Sequence, residues 1–135
     1  MLIFSGVLDR FPRLQIVSAE NNCGWLPYYL QRMDRVFDRM GRSGGASMKL
    51  RPSDYFRRQM YCTFIDDAVG MAQRHQIGID NLMWSSDYPH TSSSWPKSQE
   101  VVARDLAGAP PEERYKLTRG NAAALYGLES SGSVN

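Results

Sequence analysis

Three short apolar runs, separated by helical segments, constrain the fold of this chain more than any other feature. The runs cover residues 14–19, 60–65 and 81–86, and each is rich in β-branched, aromatic or other apolar residues. Between the first two runs, residues 26–40 have the three- and four-residue apolar spacing of an amphipathic helix. Because strands that alternate with helices are joined by right-handed crossovers, we predict an α/β fold with three parallel strands.

Length and composition are those of one small globular domain. The 135 residues are 42% hydrophobic and 22% charged, which excludes a disordered or fibrous chain. The net charge is only +2, and acidic residues interrupt most arginine clusters, so we expect no nucleic-acid partner. No apolar run is long enough for a membrane helix and the first residues do not resemble a signal peptide, so we expect a cytoplasmic protein with no membrane partner. We predict one domain over residues 1–128 and a flexible tail over 129–135.

Acidic residues follow each predicted strand at the point where the strand ends. Glu20 follows the first run, Asp66 and Asp67 the second, and Asp87 the third. The carboxyl ends of parallel strands share one edge, where α/β proteins place their chemistry, and oxygen donors gathered there could hold a divalent cation. Each carboxylate alone has a structural alternative, because Asp and Glu often cap the helix that follows a strand. For Asp66 and Asp67 we favour capping and a favourable interaction with the dipole of that helix's first turn.

The segment WSSDYPH, residues 84–90, has the composition of a reactive loop. A carboxylate, Asp87, ends a strand, a proline then redirects the chain, and an imidazole, His90, lies three residues on. This pattern suits a metal ligand or general base with a second polar group beside it. An ordinary turn is the structural alternative for both residues.

Five segments together match one family pattern, in the same order along the chain. They are GVLDRFPRL (6–14), ENNCGWLPY with a following RMD (20–34), PSDYFRRQMYCTF (52–64), WSSDYPH (84–90) and GNAAALYGL (120–128). The chain resembles the amidohydrolase-related family (amidohydrolase family 2), in the branch that includes the aminocarboxymuconate-semialdehyde and resorcylate decarboxylase types. The resemblance spans roughly residues 3 to 128, and five ordered matches make it specific at the level of the family.

The resemblance implies a (β/α)₈ barrel with a divalent metal at its carboxyl-terminal face, of which this chain would form about strands six to eight. Asp87 stands where the family has an aspartate that binds the metal and acts as the catalytic base. The implied metal is zinc, with manganese or iron as alternatives. The implied activity is hydrolysis or decarboxylation of a small cyclic or aromatic carboxylate, ester or amide. Glu20, Asn21, Trp25 and His90 are the further candidates for contact with the substrate or for support of the metal.

The sequence departs from the family pattern in two ways. Asn21 stands where the decarboxylase members carry a histidine, although Glu20 could supply the missing oxygen ligand. The family's H-x-H pair and its strand-five histidine have no counterpart in this sequence. We therefore expect a partial barrel that is incomplete as this chain alone and that forms a homo-oligomer or needs a complementary N-terminal barrel part. The alternative hypothesis is a non-catalytic α/β fragment that acts as an interaction partner.

Overall fold

A computed structural model of the chain describes residues 2–42 and 48–128. Its three strands form one parallel sheet, and the expected tail over 129–135 lies outside the described residues. The strands are β1 (Ile16–Ser18), β2 (Met60–Phe64) and β3 (Leu82–Trp84). Their spatial order is β1-β2-β3. The α/β fold with three parallel strands is therefore confirmed, and each strand is shorter than the apolar run that predicted it.

Helices connect the strands and continue after the last one. The described residues form eight α-helices: α1 (Val7–Arg10), α2 (Leu26–Arg42), α3 (Pro52–Gln59), α4 (Ala68–Ala72), α5 (Arg74–Ile77), α6 (Ser98–Asp105), α7 (Pro111–Tyr115) and α8 (Asn121–Tyr126). Two short 3₁₀ helices cover Ile3–Ser5 and Ile79–Asn81. A π-helical turn over Lys116–Gly120 joins α7 to α8 without a break. None of the described helices has the length and apolarity needed to cross a bilayer.

One face of the sheet packs against the helices and forms the main core. Cys62 and Phe64 are two residues apart on β2, so they point to the same side, and Leu82 of β3 lies beside Cys62. All three side chains are fully or almost fully buried. From α2, Leu26 and Leu30 are buried in the same cluster, which confirms the start of the predicted apolar stripe, whereas Met40 at its end is 39% exposed.

Three buried amide side chains donate hydrogen bonds to backbone carbonyls at the amino-terminal edge of the sheet. Gln59 donates two hydrogen bonds, of 2.9 and 3.0 Å, to carbonyls that precede β1. Asn81 donates to a carbonyl near the end of α3 and to the first carbonyl of β2, at 2.9 and 2.8 Å. Asn121 donates to two carbonyls around the start of β3, at 2.8 and 2.7 Å. Backbone acceptors that would otherwise be buried without a donor are thereby satisfied.

We predict that Asn81→Ala destabilises the fold by about 1–3 kcal/mol, because it leaves two buried carbonyls without their donor. Urea unfolding followed by circular dichroism measures the change. Gln99→Ala, at an exposed position of α6, is the control and should leave the midpoint unchanged. Equal midpoints for the two variants would contradict the assigned role of the amide.

Candidate functional site

Three residues from two separate loops meet at the carboxyl edge of the sheet. A carboxylate oxygen of Glu20, one of Asp87 and a ring nitrogen of His90 all lie within 4.8 Å of one another. Glu20 belongs to the loop after β1, and the other two belong to the loop after β3. The two loops come from the outer strands of the sheet, so they meet across the end of β2. We call these three residues the donor cluster.

Asp87 is the buried member of the donor cluster. Only 7% of its surface is exposed, whereas Glu20 and His90 are exposed. Its Oδ2 atom accepts a hydrogen bond of 2.7 Å from the Ser92 hydroxyl. Its Oδ1 atom is buried and has no hydrogen-bond partner in the part of the chain that the structure describes. A buried carboxylate oxygen without a donor is costly, and a cation is a partner that would compensate it.

The backbone around the donor cluster is held in an uncommon conformation. Glu20, Asn22 and Asp87 have φ angles of +64°, +53° and +55°. They are the three non-glycine residues with positive φ in the described ranges, and all three lie on loops at the carboxyl edge. The left-handed region suits Asn and Asp better than Glu, so the conformation of Glu20 depends on contacts around it.

The loop after β1 is tied to the end of β2 by side-chain hydrogen bonds. The Glu20 amide donates to the Thr63 hydroxyl at 2.8 Å. The Asn22 side chain accepts from the Ile65 amide at 2.9 Å and donates to the Asp66 carbonyl at 3.2 Å. These bonds continue the pairing of β1 and β2 beyond the strands and hold the backbone of Glu20 in place.

Asp67 holds the same loop through hydrogen bonds from backbone amides. Its carboxylate accepts from the amides of Cys23 and Gly24, at 2.6 and 2.8 Å, and from that of Gly70 in α4, at 2.8 Å. Burial raises the pKa of Asp67, but these hydrogen bonds outweigh it and hold the pKa below its ordinary value. Asp67 therefore caps α4, as the sequence predicts. For Asp66 the capping prediction is wrong, because its carboxylate pairs with an arginine of α6.

The remaining predicted candidates, Asn21 and Trp25, form hydrogen bonds with β1 and with the loop that follows it. The Asn21 amide donates to the Ser18 hydroxyl at 3.0 Å, close to its own loop. The Trp25 indole donates to the carbonyls of Asn21 and Asn22, at 3.1 and 3.0 Å. The Trp25 ring is 43% exposed and lines an apolar groove that runs beside β1.

The two cysteines near this edge are poorly suited to act as nucleophiles. Both are buried and free. Burial raises the pKa of Cys62 to about 12, and burial together with the nearby Asp67 carboxylate raises the pKa of Cys23. Since the thiolate is the reactive form, the raised pKa values disfavour a nucleophilic role for either thiol.

Sequence reasoning missed Ser92, the residue that contacts the Asp87 carboxylate. It lies in the stretch TSSSW, where the residue type alone carries no functional signal. Only the folded loop shows that this serine, rather than its two neighbours, bonds to the carboxylate.

The donor cluster has the chemistry of a divalent metal site. Two carboxylates and one imidazole are ligands that zinc, manganese and iron accept in proteins. The unpartnered Oδ1 of Asp87 supplies an acceptor that no described donor uses. The residues present therefore fit such an ion.

Comparisons with known proteins identify the family and the fold of the chain. An amidohydrolase family model matches residues 1–128. The 5-carboxyvanillate decarboxylase of Sphingomonas paucimobilis is 32% identical with a TM-score of 0.74, and the match covers 93% of this chain and 37% of that one. The 5-carboxyvanillate decarboxylase of Novosphingobium aromaticivorans, solved with manganese and 4-hydroxy-3-methoxy-5-nitrobenzoic acid, is 25% identical with a TM-score of 0.75, covering 94% and 37%.

A third similar structure supports the fold alone. The dihydroxybenzoic acid decarboxylase of Polaromonas, solved with manganese and 2-nitroresorcinol, is 23% identical with a TM-score of 0.76, and the match covers 96% of this chain and 39% of that one. The chain therefore spans less than two fifths of the length of each of these structures. Its three parallel strands are part of a (β/α)₈ barrel.

We predict that Asp67→Asn lowers the free energy of unfolding at pH 7 by about 1.5–3 kcal/mol, because hydrogen bonds to a charged acceptor are lost. The pKa of Asp67 is lower in the folded than in the unfolded chain. Its contribution is therefore complete above the unfolded value, near 3.8, and is lost as the pH falls through the folded value. Urea unfolding at a series of pH values should show the difference from wild type shrinking below pH 3.8.

Asp80→Asn, on the exposed side of the opposite edge, is the matched control for this series and should change stability little at any pH. A difference between wild type and Asp67→Asn that stays constant throughout the acid range would show that the charge of Asp67 is not the cause.

Proposed function

The chain belongs to the amidohydrolase family, and on that premise we propose that it forms part of a metal-dependent decarboxylase of a small aromatic carboxylate. The observation that carries the proposal is the buried Oδ1 of Asp87, which lacks a donor among the described residues, in a carboxylate that lies within 4.8 Å of donor atoms of Glu20 and His90. The substrate class is supported by the 5-carboxyvanillate decarboxylases that resemble the chain at 32% and 25% identity.

In this proposal the donor cluster holds the metal ion. Glu20 and Asp87 would each contribute a carboxylate oxygen and His90 a ring nitrogen. Manganese is the first ion to test, since it is present in the Novosphingobium aromaticivorans structure, and zinc and iron accept the same ligands. When bound, a divalent ion acts as a Lewis acid toward oxygen atoms of the substrate.

The proposed reaction also requires that one proton reach the ring carbon. Decarboxylation breaks the bond between the ring carbon and the carboxylate, carbon dioxide leaves, and the electron pair left on the ring carbon takes up a proton. In this proposal the proton comes from bulk water, because the carboxylate of Asp87 is committed to the metal ion whereas Glu20 and His90 lie on the exposed side of the donor cluster. The exposed side of the donor cluster therefore gives the reacting carbon access to water.

Aromatic side chains next to the donor cluster fit the proposed substrate class. Tyr88 and Trp95 lie on the same loop as Asp87 and His90, and their rings meet edge to face with centroids 5.8 Å apart. Both rings are about two thirds exposed, at 65% and 64%. We propose that they contact the substrate ring, together with Trp25 on the facing loop. On that facing loop, Asn21 is our candidate for a polar substrate contact.

We also propose a protein partner, a complementary part of the barrel that pairs with the outer edge of β1. Among the described residues, β1 has a neighbouring strand on one side only. Beside it lies an apolar groove of about 210 Å³, whose lining includes Tyr29 and Met33 of α2 and Met60 of β2. A closed eight-stranded barrel leaves no strand edge free, so a further strand and its helix would cover both features.

The first test concerns the metal. Asp87→Asn should weaken Mn²⁺ binding by at least about tenfold, the effect that loss of an outer-sphere partner alone can produce. Titration followed by electron paramagnetic resonance of free Mn²⁺ measures the affinity. Asp80→Asn, at the opposite edge of the sheet, removes one negative charge as Asp87→Asn does, and it should bind Mn²⁺ with wild-type affinity. If the two variants bind alike, the donor cluster is not the metal site.

The second test asks whether binding of a complementary partner produces decarboxylase activity. We expect the chain, co-expressed with the part of the Sphingomonas paucimobilis decarboxylase outside the matched region, to form a complex that releases carbon dioxide from 5-carboxyvanillate. Tyr29→Lys places a charge in the groove and should reduce complex formation on size-exclusion chromatography. Tyr28→Lys is the control, because Tyr28 is 71% exposed on the same helix and does not line the groove.

Other outcomes of this test separate the alternatives. A complex that forms but leaves 5-carboxyvanillate intact would contradict decarboxylation of this substrate. If the chain associates only with itself, and Tyr29→Lys abolishes that association, the partner at the groove is a second copy of the chain rather than a complementary segment.

A further inference from the structure

Ser92 is the side chain that holds one of the two oxygens of the Asp87 carboxylate. We propose that it is a positioning residue for the metal site, an inference that rests on the function proposed above. Its hydroxyl donates to Oδ2 of Asp87 at 2.7 Å, whereas Oδ1 is buried without a partner among the described residues. The terminal torsion of an aspartate is soft, so the carboxylate needs a second contact to keep one orientation. The Ser92 bond provides it by holding one oxygen and leaving the other available.

The loop that carries Ser92 is built to return over Asp87. The Ser93 hydroxyl donates to the Ser86 carbonyl at 2.7 Å, and the Ser94 amide donates to the same carbonyl at 3.1 Å. Both bonds close the loop onto the residue that precedes Asp87. Ser92 therefore reaches the carboxylate from a fixed backbone, and the three serines have different roles although they are adjacent in sequence.

Ser92 can be changed with little effect on packing. The residue is exposed, so removal of its hydroxyl oxygen leaves no cavity in the core. Within the part of the chain that the structure describes, the side-chain bond given up is the one to Asp87. A change in metal affinity after substitution would then report on the orientation of the carboxylate rather than on the fold.

The experiment compares Mn²⁺ affinity, measured by electron paramagnetic resonance, across four substitutions. Ser92→Ala and Ser92→Val should weaken binding by about tenfold, the lower end of the effect of losing an outer-sphere partner of a metal ligand. Ser92→Thr has the shape of the valine variant but keeps the hydroxyl, so it should bind nearly as wild type does. Ser93→Ala is the matched control, because its hydroxyl bonds to a carbonyl of the same loop and not to Asp87.

The outcomes distinguish this proposal from the one on which it rests. Wild-type affinity in Ser92→Ala and Ser92→Val, while Asp87→Asn still loses affinity, would overturn the role of Ser92 and leave the metal site standing. An equal loss in Ser93→Ala would also overturn it, since loop integrity would then be the cause. If Asp87→Asn binds Mn²⁺ as wild type does, the metal site itself is wrong, and the inference falls with it. Thermal unfolding of each variant verifies that the fold is retained.

Discussion

The arrangement of the site depends on the carboxylate of Asp67, which ties the loop after β1 to the first turn of α4. It accepts three backbone amides, two from that loop and one from Gly70. The contact leaves no room for side chains, because a Cβ on Gly70 would meet Oδ2 of Asp67 at 2.5 Å and one on Gly24 would meet Oδ1 at 3.0 Å. Two glycines and one aspartate thus hold the backbone that carries Glu20, which has an otherwise unfavourable φ angle.

The amino-terminal edge of the sheet carries structural hydrogen bonds, and the carboxyl edge carries the residues of the proposed site. At the amino-terminal edge, the buried amides of Gln59, Asn81 and Asn121 are engaged with backbone carbonyls. At the carboxyl edge, by contrast, Asp87 keeps one buried oxygen without a donor in the described ranges. This is the division expected of a (β/α)₈ barrel, in which the loops after the strands carry the reactive groups. The same three strands position the residues at both edges. The hydrogen bonds at the amino-terminal edge can therefore hold the sheet rigid while one carboxylate oxygen at the carboxyl edge has no donor among the described residues.

The open sides of the sheet follow from the same architecture. A three-stranded parallel sheet has two outer edges, and the groove beside β1 exposes part of Trp25 and Tyr29. Parallel sheets are normally buried on both faces, and a free edge invites pairing with another strand. The donor cluster lies between loops from the two outer strands, so a strand added at the β1 edge would lie close to it. The partner and the site that we propose are therefore physically connected.

The sequence by itself determined the class of fold, the edge of the sheet at which we propose the site, and the family. Alternating strand and helix patterns, an acid after each strand and the WSSDYPH segment are local signals, because each depends on residues near one another in the chain. Only the tertiary structure decided which carboxylates are available. The carboxylate of Asp67 accepts hydrogen bonds from backbone amides, one of them 44 positions away in the chain. The carboxylate of Asp66 forms an ion pair. Ser92, rather than one of its serine neighbours, donates a hydrogen bond to Asp87. Such contacts depend on how the loops fold back on one another, and their hydrogen-bond geometry exists only once those loops have been brought together.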